Sequence, residues 1–367
     1  MKIGLIDADL LDNGTRHPNL ALMKISAFMK ERGHDIELLF DYNVIDSYDK
    51  IYLSRVFTFT NIPVDVDSYK NIEYGGTGFY PENAPDLPYE IEHHMPDYTL
   101  YNRFIQKEID RGIKPIRYSD YLDYSIGFAT RGCFRKCDFC VNKKFDRVFQ
   151  HAKVTEFFDP AKKYIYLWDD NILGYEKWNE VFDELADIGR PFQFRQGIDI
   201  RLMTKEKAKV LANAKYRGDY IFAFDYLKDR ELIEKNIRLW REYSSKTTKL
   251  YLLCAYESQD INDIISVFER IRILMKYKCL GYIMRYQDYD KSEMRGMYIN
   301  LARWCNQPDF FKKKSFRQYC EANGKSSSTY KYMVEFEKKY PEVAKKYFDL
   351  RFDADYTASE QDLLMVL

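Results

Sequence analysis

The sequence lacks several features that would place the protein in a membrane or outside the cell. No apolar run approaches the ~20 residues that a membrane-spanning helix needs. Net charge is also absent, because 57 Lys and Arg balance 57 Asp and Glu. This balance excludes a wholly basic nucleic-acid coat or a polybasic membrane anchor. The N-terminal MKIGLIDADLLDNG does not have the basic, apolar and small-residue order of a signal peptide. We therefore expect a soluble, cytoplasmic protein without a membrane partner.

Cysteine is absent before Cys133, and the seven cysteines are unevenly spread. An odd number at this low density excludes the disulfide framework of a small secreted domain. Three of them, Cys133, Cys137 and Cys140, fall within eight residues. A tight triplet of this kind indicates metal or redox chemistry. Two later cysteines, Cys305 and Cys320, are interpreted as buried structural thiols.

The middle of the chain, residues 121–290, alternates apolar strands with amphipathic helices. The pattern predicts strands at 124–129, 163–168, 191–196, 219–224, 249–254 and 280–286. It predicts helices between most of them, at 175–188, 229–243 and 260–277. Repeated βα units with right-handed crossovers require a parallel sheet. The expected fold class is therefore α/β, with a partial (β/α)6 TIM-like barrel whose chemistry is carried at the carboxyl ends of its strands.

The two ends of the chain differ from the middle. A strand at 2–8, a helix at 17–33 and strands at 36–40 and 50–57 are typical of a Rossmann-like sheet. The rest of residues 1–120 is too irregular to complete such a sheet, so we predict a truncated Rossmann-like domain. Residues 291–367 lose the alternation. They are predicted to form a small helical region that covers the substrate.

The cysteine triplet follows directly on the first strand of the βα series. Three thiolates can hold three corners of a [4Fe–4S] cluster, which leaves the fourth iron without a protein ligand. An open iron suits a cofactor with an amine and a carboxylate, such as S-adenosylmethionine (SAM). The segment TRGCFRKCDFC (130–140), with Phe139 before the third cysteine, resembles the radical SAM superfamily. The resemblance implies an enzyme that cleaves SAM to a 5′-deoxyadenosyl radical, which abstracts hydrogen from a substrate that the sequence does not identify.

Two further segments, 195–214 and 220–237, resemble the superfamily branch that carries a cobalamin-binding domain. The resemblance implies that Asp225, after the fourth strand, bonds the ribose of SAM. Gln196 and Arg201, from the third unit, either face the SAM or substrate cavity or are solvated loop residues.

The stretch WDDN (168–171) ends the second predicted strand, where the superfamily has a glycine-rich acidic segment. The resemblance implies that Asp169 and Asp170 meet the amino group of SAM, although the usual glycines are absent here. The alternative is that one of these carboxylates caps the helix predicted at 175–188.

The segment 17–42 resembles the cobalamin-binding domain of the same branch. The Asp-x-His-x-x-Gly motif that supplies a lower axial histidine is missing. His17 and His34 are interpreted as ordinary surface or capping histidines. We therefore predict a degenerate domain that does not bind cobalamin, although binding without an axial histidine is known in the branch.

Two kinds of partner are expected, one from the same resemblance and one from the charge of segment 312–351. The resemblance implies a flavodoxin- or ferredoxin-like electron donor. Segment 312–351 holds eleven Lys or Arg against five Asp or Glu. It is either a set of solvated helices or a surface for a phosphate-bearing substrate such as a nucleotide or nucleic acid, with Tyr330 and Tyr332 as stacking faces.

Three alternatives remain for the cysteines and the function. The triplet could hold zinc with a distant fourth ligand, although zinc sites usually pair cysteines as C-x2-C. The chain would then be a non-catalytic nucleic-acid or protein-binding module. A SAM-binding methyltransferase with inert cysteines is the third alternative, and the absence of a glycine-rich loop after the first strand argues against it.

Overall fold

The computed structural model describes residues 1–15 and 17–352. It divides the chain into two compact units, residues 1–196 with 214–217, and residues 197–213 with those from 218 onward. In the part that is described, no helix is both long and apolar enough to cross a bilayer.

The first unit has nine strands and six α-helices among its described residues. The strands are β1 (Lys2–Asp7), β2 (Asp35–Leu38), β3 (Lys50–Ser54), β4 (Ile72–Gly75), β5 (Tyr124–Gly127), β6 (Thr130–Arg131), β7 (Phe149–Gln150), β8 (Tyr164–Leu167) and β9 (Phe192–Phe194). The helices are α1 (Ala8–Asn13), α2 (Leu20–Glu31), α3 (Tyr89–Glu92), α4 (Asn102–Asp110), α5 (Ser119–Leu122) and α6 (Trp178–Ile188).

The N-terminal sheet is parallel, with strand order β2-β1-β3-β4. Strand β1 is central and is buried after its first residue, because its run of apolar residues suits a strand covered on both faces. Helix α2 packs Leu22 and Ile25 into the same core as Ile3 and Leu5, and Gly33, with φ of +75°, follows its end. This order matches a flavodoxin-like doubly wound sheet that lacks its fifth strand.

The second sheet of this unit is parallel, with strand order β5-β8-β9. Helix α6 packs on one face, where Phe182 contacts Phe192 and Phe194. Tyr124, with Tyr166 stacked on it at 4.0 Å, lies in a separate apolar cluster. Alternation along the strands places these two groups of rings on opposite faces.

The second unit holds the third parallel sheet and the C-terminal helices. Its strands are β10 (Tyr220–Ala223), β11 (Thr248–Cys254) and β12 (Leu280–Arg285), in that order. Its helices are α7 (Lys205–Asn213), α8 (Arg230–Tyr243), α9 (Ile261–Lys276), α10 (Arg295–Cys305), α11 (Pro308–Lys313), α12 (Phe316–Ala322), α13 (Ser328–Lys339) and α14 (Pro341–Tyr347). The helical C-terminal region is confirmed as far as residue 352, and residues 353–367 of that prediction lie outside the described residues.

The six strands predicted over 121–290 are all present within two or three residues of their expected bounds. Among the described residues they pair as two three-stranded sheets, so the expected partial (β/α)6 barrel is not shown there. Strand β9 has only three residues, and its unit adds an isolated bridge between Phe192 and Tyr216. In the other unit, an isolated bridge joins Ile198 to Phe222 of β10. The domain boundaries near residues 120 and 290 remain predictions.

Candidate functional site

The three cysteines lie in a loop that is closed at its base by a two-stranded ladder. Strands β6 and β7 pair antiparallel, with Thr130 opposite Gln150 and Arg131 opposite Phe149. Residues 132–148 form the loop between them. None of these three cysteines is in a disulfide bond, and all three are partly exposed. The three cysteine sulfurs therefore lie on one loop, between β6 and β7.

Asp169, just after β8, fixes the start of this loop. Its carboxylate accepts hydrogen bonds from the backbone N–H of Ala129, at 3.2 Å, and of Thr130, at 2.5 Å. The Thr130 hydroxyl donates to the same carboxylate at 2.6 Å. Asp169 is only 3% exposed, and this burial raises its pKa to about 7 although the three hydrogen bonds oppose the shift.

The next two residues continue the same support. Asp170 accepts a hydrogen bond from the N–H of Gly132 at 2.6 Å. The side-chain amide of Asn171 donates to the sulfur of Cys133 at 3.3 Å. Residues 169–171 therefore bind three successive parts of the loop, the last of them a cysteine sulfur.

Gly132 is required by the geometry of the loop. Its φ is +87°, in the left-handed region, and a Cβ atom there would lie 2.2 Å from the carbonyl oxygen of Arg147. A non-glycine residue would therefore be strained and would also push the two sides of the loop apart.

Backbone N–H groups also point at the sulfurs. The N–H of Arg135 donates to Cys133 and that of Asn142 donates to Cys140, both at 3.4 Å. Burial raises the pKa of the Cys140 thiol, the Asn142 hydrogen bond lowers it, and Cys137, Cys133 and Asp170 raise it further. Because these negative groups repel one another, a bound cation would stabilise the thiolates together.

A [4Fe–4S] cluster and a single zinc ion place different demands on the sulfur ligands. In the described part of the chain, no group of three or more His, Cys, Asp or Glu side chains is placed to hold one metal ion. A zinc site gathers four ligands around one ion at about 2.3 Å for sulfur. In a [4Fe–4S] cluster each thiolate binds a different iron, so three sulfurs on a loop need not share one centre.

Buried polar atoms without hydrogen-bond partners are concentrated at this site, although one of them, Arg131 Nε, forms an ion pair with Asp170 at 3.7 Å. Among the described residues, four buried side-chain nitrogen or oxygen atoms have no hydrogen-bond partner. Three of them are Arg131 Nε, Trp168 Nε1 and Asn171 Oδ1, on β6 or in the segment after β8. Buried polar groups are normally satisfied, so this concentration is the pattern expected around a bound group.

The structure also locates the other predicted residues. Phe139 is partly buried within the cysteine loop, and Gln196 is an exposed residue at the end of its segment in the first unit. Neither Asp169 nor Asp170 caps the helix after β8, because α6 begins at Trp178 without a side-chain cap. The capping alternative is therefore wrong. The assignment of these residues as SAM contacts remains a prediction.

Arg201 and Asp225 belong to the second unit. Arg201 forms ion pairs with Asp199 at 2.7 Å and with Asp229 at 2.9 Å, and these carboxylates raise its pKa although burial opposes the rise. Asp225 lies just after β10, and burial raises its pKa to about 6. Its carboxyl lines a cavity of about 10 Å³ that is also lined by Arg270.

His17 has two specific partners that the sequence did not indicate. Its Nδ1 contacts the carboxylate of Asp120, and its Nε2 contacts Nη2 of Arg195 at 2.6 Å. Because a guanidinium can only donate, Nε2 of His17 is the acceptor in a hydrogen bond with Arg195. His34 lies near the N-terminal amine, with 3.4 Å between Nδ1 and the amine nitrogen.

The carboxyl edge of the N-terminal sheet is where a doubly wound sheet binds ligands, at the point where strand order reverses between β1 and β3. Here Asp9 closes that edge. Its carboxylate accepts from the N–H of Val56 at 2.7 Å, from the N–H of Phe57 at 3.1 Å and from the hydroxyl of Thr60 at 2.5 Å. The loop after β3 is therefore tied across the end of β1.

The ends of β1 and β3 themselves are also satisfied from within the chain. Asn19 donates to the hydroxyl of Ser54 at 2.7 Å, and the Tyr101 hydroxyl donates to Asp7 at 2.8 Å. All four residues are less than a tenth exposed, and burial raises the pKa of Asp7 to about 6. The polar groups at the ends of β1 and β3 are thus satisfied by hydrogen bonds within the chain.

Comparisons with known proteins give a structural match but no sequence match. No family model matches the chain, and no curated protein matches it significantly. The radical S-adenosylmethionine methyltransferase TsrM from Kitasatospora setae, solved with cobalamin and a [4Fe–4S] cluster bound, has a TM-score of 0.51 at 12% identity over 78% of this chain and 72% of that chain. SuiB from Streptococcus suis has a TM-score of 0.32 at 14% identity over 56% of this chain and 57% of that one, and its SAM-bound form has 0.34. The match to TsrM is one of fold, and it agrees with the resemblance drawn from residues 130–140.

Proposed function

We propose that this protein is a radical SAM enzyme whose [4Fe–4S] cluster is held by Cys133, Cys137 and Cys140. The observation that carries the proposal is the support of this loop by three consecutive residues after β8, with Asn171 donating to the Cys133 sulfur. A mere connection between strands would not need a side-chain donor aimed at a thiol. When bound, such a cluster supplies the electron that cleaves SAM to methionine and a 5′-deoxyadenosyl radical.

The residues of the chain hold and tune the sulfur ligands. Asp169 and Asp170 fix the backbone at residues 129–132 through charge-assisted hydrogen bonds. The N–H donors to Cys133 and Cys140 stabilise the thiolate form and adjust the reduction potential of a cluster bound there. Three protein sulfurs leave one iron for SAM.

The SAM contacts are part of the same proposal. We propose that Phe139, Gln196, Arg201 and Asp225 line the SAM or substrate cavity, as the resemblance implies. Asp170 is partly exposed and is proposed to meet the SAM amino group. For Asp169 the three loop hydrogen bonds support a loop-holding role beside the predicted SAM contact.

One experiment tests the proposal as a whole. Anaerobically reconstituted protein should be brown, contain about four irons per chain as expected of a cubane, and form 5′-deoxyadenosine from SAM under dithionite. Replacing any one cysteine of the triplet with Ala should abolish that product, whereas Cys320→Ala, a buried thiol outside the loop, should not. A triple-Ala protein that still makes 5′-deoxyadenosine, or a colourless zinc protein, would refute the proposal.

The electron donor is proposed to be a small acidic redox protein of the flavodoxin or ferredoxin kind. The loop 132–148 carries five Lys or Arg against two Asp. Lys136 and Lys143 are exposed, and so is Val141, at 80%. A basic, exposed loop around the sulfurs favours an anionic partner. Reduction by such a donor should slow steeply as salt concentration rises, and independence of salt would contradict this docking mode.

The substrate is proposed to carry phosphate, and a nucleic-acid strand fits best. Lys325, Lys331 and Lys338 line a groove of about 230 Å³ together with Tyr330, Val334 and Glu335. The basic rim suits a phosphate backbone, and Tyr330 offers a stacking face. Single-stranded RNA should bind with an affinity that falls steeply with salt. Absence of binding at low salt, or equal binding of a mononucleotide, would count against a strand.

We propose that the N-terminal domain works without cobalamin, because its crevice is occupied by the hydrogen bonds of Asp9, Asn19 and Tyr101. Anaerobic reconstitution with hydroxocobalamin and desalting tests this directly. Retention of one cobalt per chain would overturn the proposal.

A further inference from the structure

Arg270, on α9, is a fully buried cation that serves the backbone after β10. It is 1% exposed. Its Nη1 donates to the carbonyl oxygens of both Phe224 and Asp225 at 2.9 Å, and its Nε donates to the carbonyl of Ser266 at 3.2 Å. A buried guanidinium is costly unless its hydrogen bonds and charge are used. Here its bonds fix the chain at the position of Asp225.

The same cavity gathers three carboxylates around that cation. Asp225, Glu257 and Asp263 line it with Arg270, and among the described residues none forms a salt bridge with Arg270 within 4 Å. The volume of about 10 Å³ accommodates one water-sized group, such as a hydroxyl. The cavity is therefore polar, charged and small.

Ala255, which follows β11 beside this cavity, has a strained backbone that hydrogen bonds hold in place. Ala255 has a φ of +62°, in the left-handed region that disfavours a residue with a Cβ atom. Its N–H donates to Asp263 at 2.6 Å, and the hydroxyl of buried Tyr298 donates to the same carboxylate at 2.8 Å. Strain held by buried hydrogen bonds is a common property of ligand-binding positions.

We infer that Arg270 is a positioning residue, which holds the Asp225 carboxylate in place and in its charged form so that it accepts hydrogen bonds from the hydroxyls of a bound ribose. This inference rests on the proposed function, because Asp225 is its ribose contact. A carboxylate accepts a hydrogen bond from a ribose hydroxyl in the cavity, whereas a neutral carboxyl group donates one proton and accepts less well.

The charges around Asp225 set the expected pH dependence. Burial raises the pKa of Asp225 to about 6, Arg270 and Arg201 oppose the rise, and Asp199 adds to it. Asp263 and Glu257 line the cavity from the segments after β11. Affinity for a ribose should therefore rise as pH increases through about 6. Removing the Arg270 charge should move that midpoint upward.

The test uses adenosine, which carries the diol and needs no cluster, and 2′,3′-dideoxyadenosine, which lacks the diol. Full-length anaerobic protein is titrated with each nucleoside from pH 5 to 8. Arg270→Met should raise the midpoint for adenosine by about one unit, which is a tenfold loss of affinity on the acid side. Arg270→Lys should weaken binding without moving the midpoint. Arg272→Met, an exposed change on the same helix, should change neither.

Three outcomes decide the inference. The inference is supported if the pH midpoint of adenosine affinity rises in Arg270→Met. The same dependence on pH should be absent in Asp225→Asn and absent for the dideoxy compound. An unchanged midpoint in a folded Arg270→Met protein, or wild-type affinity in Arg270→Lys, overturns it and leaves Arg270 a purely structural cation. Failure of the wild type to prefer adenosine over the dideoxy compound also overturns it, whereas 5′-deoxyadenosine formation from SAM, assayed separately, decides the proposed function.

Discussion

The side-chain amide of Asn171 donates a hydrogen bond to the sulfur of Cys133 across 3.3 Å, although the two residues are 38 positions apart. The segment after β8 thus contacts the first cysteine of the loop between β6 and β7. Second-layer donors of this kind orient metal ligands and tune the metal.

Asn171→Ala should weaken cluster retention without unfolding the protein. The thiolate loses a donor, and loss of such a contact typically costs about 10- to 100-fold in metal affinity or activity. The rate of iron release to a chelator measures the effect. Asn213→Ala removes an exposed amide that bonds only its own helix, and it should release iron at the wild-type rate. Equal rates in both variants would show that the Asn171 contact is incidental.

Gly132→Ala should prevent cluster loading, because both its φ of +87° and the 2.2 Å approach to the Arg147 carbonyl exclude a Cβ atom. Gly112 is a matched control, since its φ is +90° but no atom lies within 4 Å of the added Cβ. Both variants carry the backbone strain, and only the first carries the collision. Iron content and circular dichroism of the two purified proteins separate these effects; full iron loading of Gly132→Ala would contradict the described loop geometry.

Asp169→Asn should flatten part of the pH dependence of stability. The folded-state pKa of Asp169 is raised from 3.8 to about 7, so the folded state binds a proton more tightly than the unfolded state. The contribution of this group to the free energy of unfolding is therefore fully present below pH 4 and is lost as pH rises to about 7. Urea unfolding of both proteins between pH 4 and 8 measures it. Asp146→Asn, an exposed change in the same loop, should follow the wild type, and parallel curves for wild type and Asp169→Asn would refute the assignment.

Lys325, Lys331 and Lys338, changed together to Gln, should weaken binding of single-stranded RNA and reduce its salt slope by about 2, since each lost phosphate contact contributes about 0.7. The triple change of exposed Lys205, Lys209 and Lys235 to Gln alters net charge equally. It should leave the slope unchanged. The same slope in both triple variants would mean that the groove on α13 is not the binding surface.

Local sequence signals were sufficient for the strands, because each predicted strand over 121–290 is an apolar run between polar segments. The assignment of Cys133, Cys137 and Cys140 as cluster ligands rests on their spacing after a predicted strand, and it stays a prediction. Whether the six strands pair as one sheet or as two could not be predicted in the same way. Strand pairing joins segments that are distant in the sequence, and local patterns do not report it. Strand β9, with three residues, ends before it could extend that pairing.

The supporting residues were missed because their contacts are long-range. Asp169 and Asp170 looked like cofactor contacts or helix caps, and Asn171 carried no signal at all. The sequence did contain a signal for the cavity that Asp225, Asp263 and Arg270 line. Asp263 and Arg270 are seven residues apart on the buried side of α9, where an acid and a base among apolar residues indicate a polar site.

The most direct measurement of the central claim is a Mössbauer spectrum of ⁵⁷Fe-reconstituted protein with and without SAM. The account predicts a [4Fe–4S] cluster in which one iron of four changes its isomer shift when SAM binds, because Cys133, Cys137 and Cys140 hold only the other three. A spectrum without a cubane, or one in which all four irons stay unchanged by SAM, would contradict it.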